Sequence, residues 1–276
     1  MNDLRTLQKA ELNIMKQVLA VCEKHSIPYY MLGGTLLGAV RHQGFIPWDD
    51  DMDIGFPRPD YERFLHYAAE EINPPYQIRM LQMKNDKYFY YYPRVVNTEI
   101  QMKRKAGYKE IIIPAWVDIF PLDGVPMNVD IRSKWLKKCD FSKKLFIRSQ
   151  YLYLGPTKQK IQTEQFWLKT MNRLFLALRA DKLISTEWAW NKLDQALKEN
   201  DYDQCDTIIN YCGYWGLKEM FPKSVYGKGR LYPFEDLMLN GPEDYDYVLK
   251  QMYGDYMTPP PEDQREHHYI EIIQTK

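Results

Sequence analysis

Apolar residues recur three and four apart from the start of the chain: Leu4, Leu7, Ile14, Val18, Val21 and Cys22. That spacing lines one side of a helix and predicts an amphipathic helix over 3–25. Pro28 closes the connection, and residues 29–32 read as a short apolar strand. Gly33 and Gly34 allow a backbone turn, after which Thr35 is the expected cap of a helix over 35–42. Alternation returns at Met52-Asp53-Ile54, a strand over 51–56 that Pro57 closes. Asp60 is then the expected cap of a helix carrying Phe64, Leu65, Tyr67 and Ala68 and running to Ile72. Residues 76–83, 88–96 and 99–103 are rich in aromatic and β-branched side chains and read as successive strands. Trp116-Val117-Asp118-Ile119-Phe120 reads as another, ended by Pro121.

Beyond residue 125 the period lengthens. Helices are expected over 129–152, 163–180 and 184–199, broken at Gly155-Pro156 and Ser185-Thr186. A mixed segment, 205–240, carries the strand-like Thr207-Ile208-Ile209, and a last helix covers 243–253. No internal repeat or low-complexity stretch interrupts this plan. The expected architecture is α+β: a small mixed α/β core with its sheet flanked by helices, and an additional helical layer. Its parts are a catalytic core at 1–125, a helical region at 126–204 and a C-terminal segment at 205–276 that packs back on the core.

Composition narrows the function. Hydrophobic residues make up 45%, enough for a packed core. Lys plus Arg equals Asp plus Glu at 37 each, which argues against nucleic acid as a partner. The balance hides a segregation: thirteen basic residues against three acids over 132–182, and eight acids against Lys250 and Arg265 over 243–271. Within the basic stretch Phe166, Trp167, Met171, Leu174, Phe175 and Leu178 form a helical stripe. Such a stripe is most simply core-facing, and its sharper reading is peripheral contact with a membrane or an anionic glycan. The N-terminus has no apolar leader and no run is long enough to span a bilayer, so a cytoplasmic protein is expected. Cys22, Cys139, Cys205 and Cys212 show no zinc spacing and are expected as reduced thiols.

The chemistry concentrates in residues 32–56, Leu-Gly-Gly-Thr-Leu-Leu-Gly-Ala-Val-Arg-His-Gln-Gly-Phe-Ile-Pro-Trp-Asp-Asp-Asp-Met-Asp-Ile-Gly-Phe. Strand alternation would put Asp51 and Asp53 on one face, with Met52 and Ile54 toward the core. Paired carboxylates repel, and a divalent cation, Mg²⁺ or Mn²⁺, removes that cost. Asp49 and Asp50 fall outside this register and are set aside. Asp118, inside an apolar strand, needs a partner or a metal, and it joins Asp51 and Asp53 as a third ligand. Gly33, Gly34 and Thr35 would turn backbone N–H groups toward a phosphate. Arg41, His42 and Arg94 are further candidates for substrate contact, Arg because its planar fork matches phosphate oxygens. Taken singly, each Arg is as well explained by an ion pair and His42 by a structural imidazole. An EF-hand is excluded: Ile54 stands where its glycine belongs, Asp60 where its glutamate belongs, and Pro57 and Pro59 break the loop.

The run Gly33 to Ile54 resembles the signature of the LicD family, which includes bacterial phosphocholine transferases and is related to fukutin-type ribitol-phosphate transferases. Val-Asp-Ile-Phe-Pro-Leu-Asp at 117–123, Tyr-Pro-Phe-Glu-Asp at 232–236 and Tyr-Gly-Asp-Tyr-Met-Thr-Pro-Pro at 253–260 resemble further family blocks. The resemblance implies a nucleotidyltransferase-like fold with Gly33 and Gly34, Asp51 and Asp53, and Asp118 at the metal site. It implies transfer of a phospho-alcohol from a CDP-activated donor, CDP-choline first, to a hydroxyl of a cell-surface glycan or its lipid-linked precursor. Teichoic acid and lipopolysaccharide are the expected acceptor classes, and CMP is the product. Aromatic faces suited to a quaternary ammonium are sought at Trp48, Tyr90, Tyr92 and Trp116. The rival readings are an NTP-dependent nucleotidyltransferase, an Asp-x-Asp sugar-nucleotide glycosyltransferase, and a non-catalytic glycan-binding module.

Overall fold

The computed structural model describes residues 2–81, 90–106, 109–149, 184–265 and 271–274. The expected helix over 163–180 with its apolar stripe lies outside these residues, as do positions 82–83 and 88–89 of two expected strands. Helix α1 (Asn2–His25) buries Leu7, Ile14, Met15, Val18, Val21 and Cys22, the apolar face that the spacing predicts. Asp3 in its first turn and Lys24 and His25 in its last complement the helix dipole.

The sheet is mixed. Strand β1 (Tyr30–Met31) runs antiparallel to β2 (Asp53–Pro57), and β2 runs parallel to β5 (Lys109–Val125). Strand β4 (Arg94–Ala106) lies antiparallel on the other side of β5 and also pairs β3 (Tyr76–Arg79) and β10 (Glu271–Gln274). The far end of β5 pairs β6 (Thr207–Ile209), which pairs β7 (Met220–Pro222). Helix α3 (Arg58–Glu71) packs on β2 and β5, and α4 (Val129–Ser149) packs on α5 (Thr186–Leu197). A short helix α6 (Lys223–Tyr226), a separate hairpin β8–β9 (Arg230–Phe234, Leu237–Gly241) and α7 (Tyr245–Tyr253) complete the described chain. The architecture is the expected mixed sheet flanked by helices.

Several local expectations change: the strand expected over 51–56 begins at Asp53 and takes in Pro57, and the one expected from Tyr76 ends at Arg79, with Met80 and Leu81 outside it. Helix α2 (Gly33–His42) starts at Gly33 with extended Leu32 at its cap, so Thr35 sits inside its first turn. Its hydroxyl accepts the Asp53 N–H at 2.8 Å and ties α2 to β2. Helix α3 likewise starts two residues before Asp60, because Pro59 suits a first helical turn. Asp60 instead pairs with Arg63 at 2.7 Å.

The strands expected at 88–96 and 99–103 are one strand from Arg94, with a register shift between Asn97 and Gln101; residues 90–93 are not strand. Proline also fails to end β5. The Asp118 N–H reaches Met52 O and the Ile119 N–H reaches Pro93 O, so alternation puts Pro121 on the β4 side, past the first residue of β4. Its missing N–H costs the ladder nothing there. All four cysteines are free and buried.

Candidate active site

Sheet register assembles the site. In the parallel pair Asp53 lies opposite Asp118, and in the antiparallel pair Asp118 lies opposite Arg94. Three strands distant in sequence thus place Asp53, Asp118 and Arg94 in one row. Asp51 precedes β2 rather than lying in it, so strand alternation does not set its direction. The carboxylates nonetheless converge: oxygens of Asp51, Asp53 and Asp118 lie within 4.8 Å of one another.

Asp49 corrects the expectation that set it aside. Its oxygens group with those of Asp50 and Asp51 within the same 4.8 Å, and it lines the same cavity as Asp53 and Asp118. The period-two rule misjudged it because residues 49–52 lie outside the strand: Asp49 closes a turn over 46–49 through its N–H to Ile46 O (2.9 Å), and Gln8 Nε2 donates to Asp49 O (3.0 Å).

The glycine pair sets how closely these acids approach α2. A Cβ on Gly33, whose φ is +48°, would lie 3.3 Å from Asp53 Oδ2, and one on Gly34 would lie 2.6 Å from Asp49 Oδ2. The carboxylates therefore rest against the backbone that opens α2. Burial pushes the Asp53 carboxyl well above the usual range, and Asp51, Asp118, Asp49 and Glu219 add to the effect. Behind the cluster, Glu11 of α1 is fully buried, and neither of its oxygens has a hydrogen-bond partner among the described residues. Burial, followed by the charges of Asp51, Asp50, Asp49 and Asp118, pushes its carboxyl up as well. Crowded hard-oxygen donors of one sign are what Mg²⁺ or Mn²⁺ takes, so these residues fit a divalent cation.

Arg94 is buried and bonds both oxygens of Asp118, with Nη2 to Oδ2 at 3.2 Å. Its guanidinium lies 3.4 Å from the centre of the Tyr90 ring and 4.5 Å from that of Trp116, whose indole N–H also reaches Asp118. It braces Asp118 from behind and does not line the cavity. Arg41 donates to Tyr256 O (2.7 Å) and to His42 Nε2 (3.0 Å); the His42 ring meets Trp48 edge-on, and Arg265 stacks on Trp48 at 4.4 Å. These three positions form a separate group, and none of them lines the cavity.

The cavity has a volume of about 500 Å³. Of the four aromatic residues singled out from the sequence, Tyr92 alone lines it; its other aromatic faces are Tyr91, Phe120, Tyr214, Trp215 and Tyr253. Sequence reasoning also missed Glu219. The Glu219 carboxylate accepts from Trp215 N–H (3.0 Å) and Asn210 Nδ2 (2.7 Å), and burial pushes its carboxyl up to about 7. Its only signal in the chain was the run of Tyr, Trp and Gly just ahead of it. The block at 232–236 serves elsewhere: Glu235 pairs with Arg5 (2.6 Å) and Asp236 with Lys16 (2.7 Å), fastening the hairpin to α1.

Residues 26–152, which hold the glycine pair and the aspartates, match the model of the LicD/FKTN/FKRP nucleotidyltransferase domain. The lipopolysaccharide cholinephosphotransferase LicD of Haemophilus influenzae is 31% identical over 271 residues, 97% of each chain. The ribitol 5-phosphate transferase FKRP of Homo sapiens is 48% identical over 40 residues, 14% of this chain and 8% of that one. An uncharacterized protein of Rickettsia typhi is 40% identical over 76 residues, 28% of this chain and 23% of its own. With a relative at this identity over nearly its whole length, the chain belongs to the LicD/FKTN/FKRP family.

Proposed function

We propose that this protein is a metal-dependent phosphotransferase. It moves a phospho-alcohol, phosphocholine first, from a CDP-activated donor to a hydroxyl of a cell-surface glycan or its lipid-linked precursor, and releases CMP. The observation that carries this reading is the convergence of Asp51, Asp53 and Asp118 beside the Gly33–Gly34 turn in one cavity. The likeness to a lipopolysaccharide cholinephosphotransferase and to a ribitol 5-phosphate transferase supports the phospho-alcohol and the glycan.

Asp51, Asp53 and Asp118 would hold Mg²⁺ or Mn²⁺. When bound, the cation neutralises the donor diphosphate and the charge that develops on the leaving CMP. The backbone opening α2 at Gly33 and Gly34 receives phosphate oxygens. The acceptor oxygen forms the new bond to the phosphorus that carries choline. The bond from that phosphorus to the bridging oxygen breaks, and CMP leaves with the electron pair. The hydroxyl proton passes to a carboxylate of the cluster, Asp118 in this proposal. Arg94 and Trp116 hold Asp118 still, so that positioning supplies much of the rate.

No helix among the described residues is long and apolar enough to cross a membrane. In this reading the reaction runs in the cytoplasm, at the inner face of the membrane that holds a lipid-linked acceptor. Exposed Ile131 and Phe141 among the lysines of α4 suit such contact.

Product analysis tests the reading. CMP released from CDP-choline with Mg²⁺ is the expected outcome; pyrophosphate from an NTP, or UDP or GDP from a sugar nucleotide, would point to a different transferase. Asp53→Asn should lower turnover on the order of 10²-fold or more. Near-normal turnover in that variant would remove the metal role.

A further inference from the structure

The transfer chemistry leaves Glu219 without a task, although Glu219 shares the cavity with the aspartates. The residue is 6% exposed, and its carboxylate lies directly over Gly213, where a Cβ would collide with both oxygens. Two neutral donors hold it, the Trp215 N–H and the Asn210 amide, and no Lys or Arg forms an ion pair with it among the described residues. Lys143 acts on it only as a more distant charge, and a buried carboxylate whose direct partners are both neutral dipoles favours a cation beside it.

Aromatic faces surround that position. Trp215 meets Tyr253 edge-on at 5.2 Å, and Tyr214 stands 5.6 Å from Trp215. Lys218 Nζ lies 5.1 Å from the centre of the Trp215 ring, so this indole already attracts a cation within the fold. The Tyr253 hydroxyl reaches the phosphate turn, 3.8 Å from where a Gly33 Cβ would stand. One ring therefore links the phosphate-binding backbone to the corner occupied by Trp215 and Glu219. In choline the cation is tethered two carbons from its phosphate, and Tyr253 spans from the phosphate turn to the Trp215 ring.

We propose that Glu219, Trp215 and Tyr253 form the subsite for the ammonium group of the transferred alcohol and set a preference for choline over an uncharged alcohol. This rests on the transferase reading above. A quaternary ammonium donates no hydrogen bond, so aromatic faces and a nearby anion are the groups that recognise it.

The test measures kcat/KM with CDP-choline and CDP-glycerol, in Mg²⁺, for the natural chain, Glu219→Gln and Trp215→Leu. The natural chain should favour CDP-choline, and each variant should lose about tenfold with that donor, chiefly through KM. Activity on CDP-glycerol should change less than about twofold. An unchanged ratio between the donors in both variants overturns the subsite. A natural chain that prefers CDP-glycerol also overturns it while keeping the transferase reading; CMP released from no CDP-alcohol removes both. If either variant fails to fold, the unmodified protein still decides. Choline should compete with CDP-choline at least about tenfold better than its neutral isostere, 3,3-dimethyl-1-butanol. Equal competition by the two shows that charge is not recognised.

Discussion

Gly34 has no side chain because Asp49 already fills that space. The clash that a methyl would cause is with the end of an Asp side chain, which can swing aside, so the fold should absorb Gly34→Ala while the cluster does not. We expect Tm to hold within about 2 °C and kcat to fall on the order of tenfold through displacement of Asp49. Thermal melts and donor turnover measured on the same sample check this, and normal turnover would show that the position of Asp49 is irrelevant. Residues differ in how plainly the chain announces them. Asp53 stood out as a charge inside an apolar alternation, and Asp118 did so for the same reason. Asp49 did not, because side-chain direction in a turn follows no period. Glu219 is one of 37 acidic residues, and only the fold brings it to the cavity.

At the scale of elements, periodicity found α1, α2, α3, α4 and α7 to within a few residues, because a helix is written in local spacing. Sheet order is a long-range fact. Nothing local to Asp53 or Arg94 says that each will lie opposite Asp118, on either side of β5. Pro121 misled for a related reason: whether a proline ends a strand depends on which neighbour its missing N–H would have faced. The same strand carries a buried ion pair away from the site. Asp123 of β5 is 0% exposed and accepts from Arg58 Nε at 2.6 Å, while Arg58 also reaches Asp194 of α5 at 3.1 Å. Arg58 therefore fastens α3 to the sheet and to the helical layer. Arg58→Met leaves Asp123 buried without its cation and should cost about 3–5 kcal/mol in urea unfolding. Arg58→Met with Asp123→Leu should recover much of that loss. A single variant as stable as the natural chain would show that the pair fastens nothing.

At the scale of the molecule, the cavity wall draws on segments far apart in the chain: the turn at Gly33 and Gly34, the aspartates at 49–53, Asp118 with Phe120, the loop holding Glu219, and Met252 with Tyr253. A donor that touches all of these must oppose global unfolding. At a free concentration about 100 times Kd, a CDP-alcohol with Mg²⁺ should add about 2.7 kcal/mol, or about 5–11 °C in Tm for a chain of this size. The shift should disappear in EDTA. Lack of a shift with every CDP-alcohol and Mg²⁺ would sink the donor assignment.

The same far-flung wall sets a timetable during synthesis. Asp118, the last of the clustered aspartates, is made about 135 residues before Tyr253, an interval of about 7–27 s at ordinary elongation rates. Throughout that interval the nascent chain carries its acidic cluster without the complete cavity wall. If the proposed function holds, donor turnover must wait for the last turn of α7, so polysomes stalled before that point should hold the carboxylates but release no CMP.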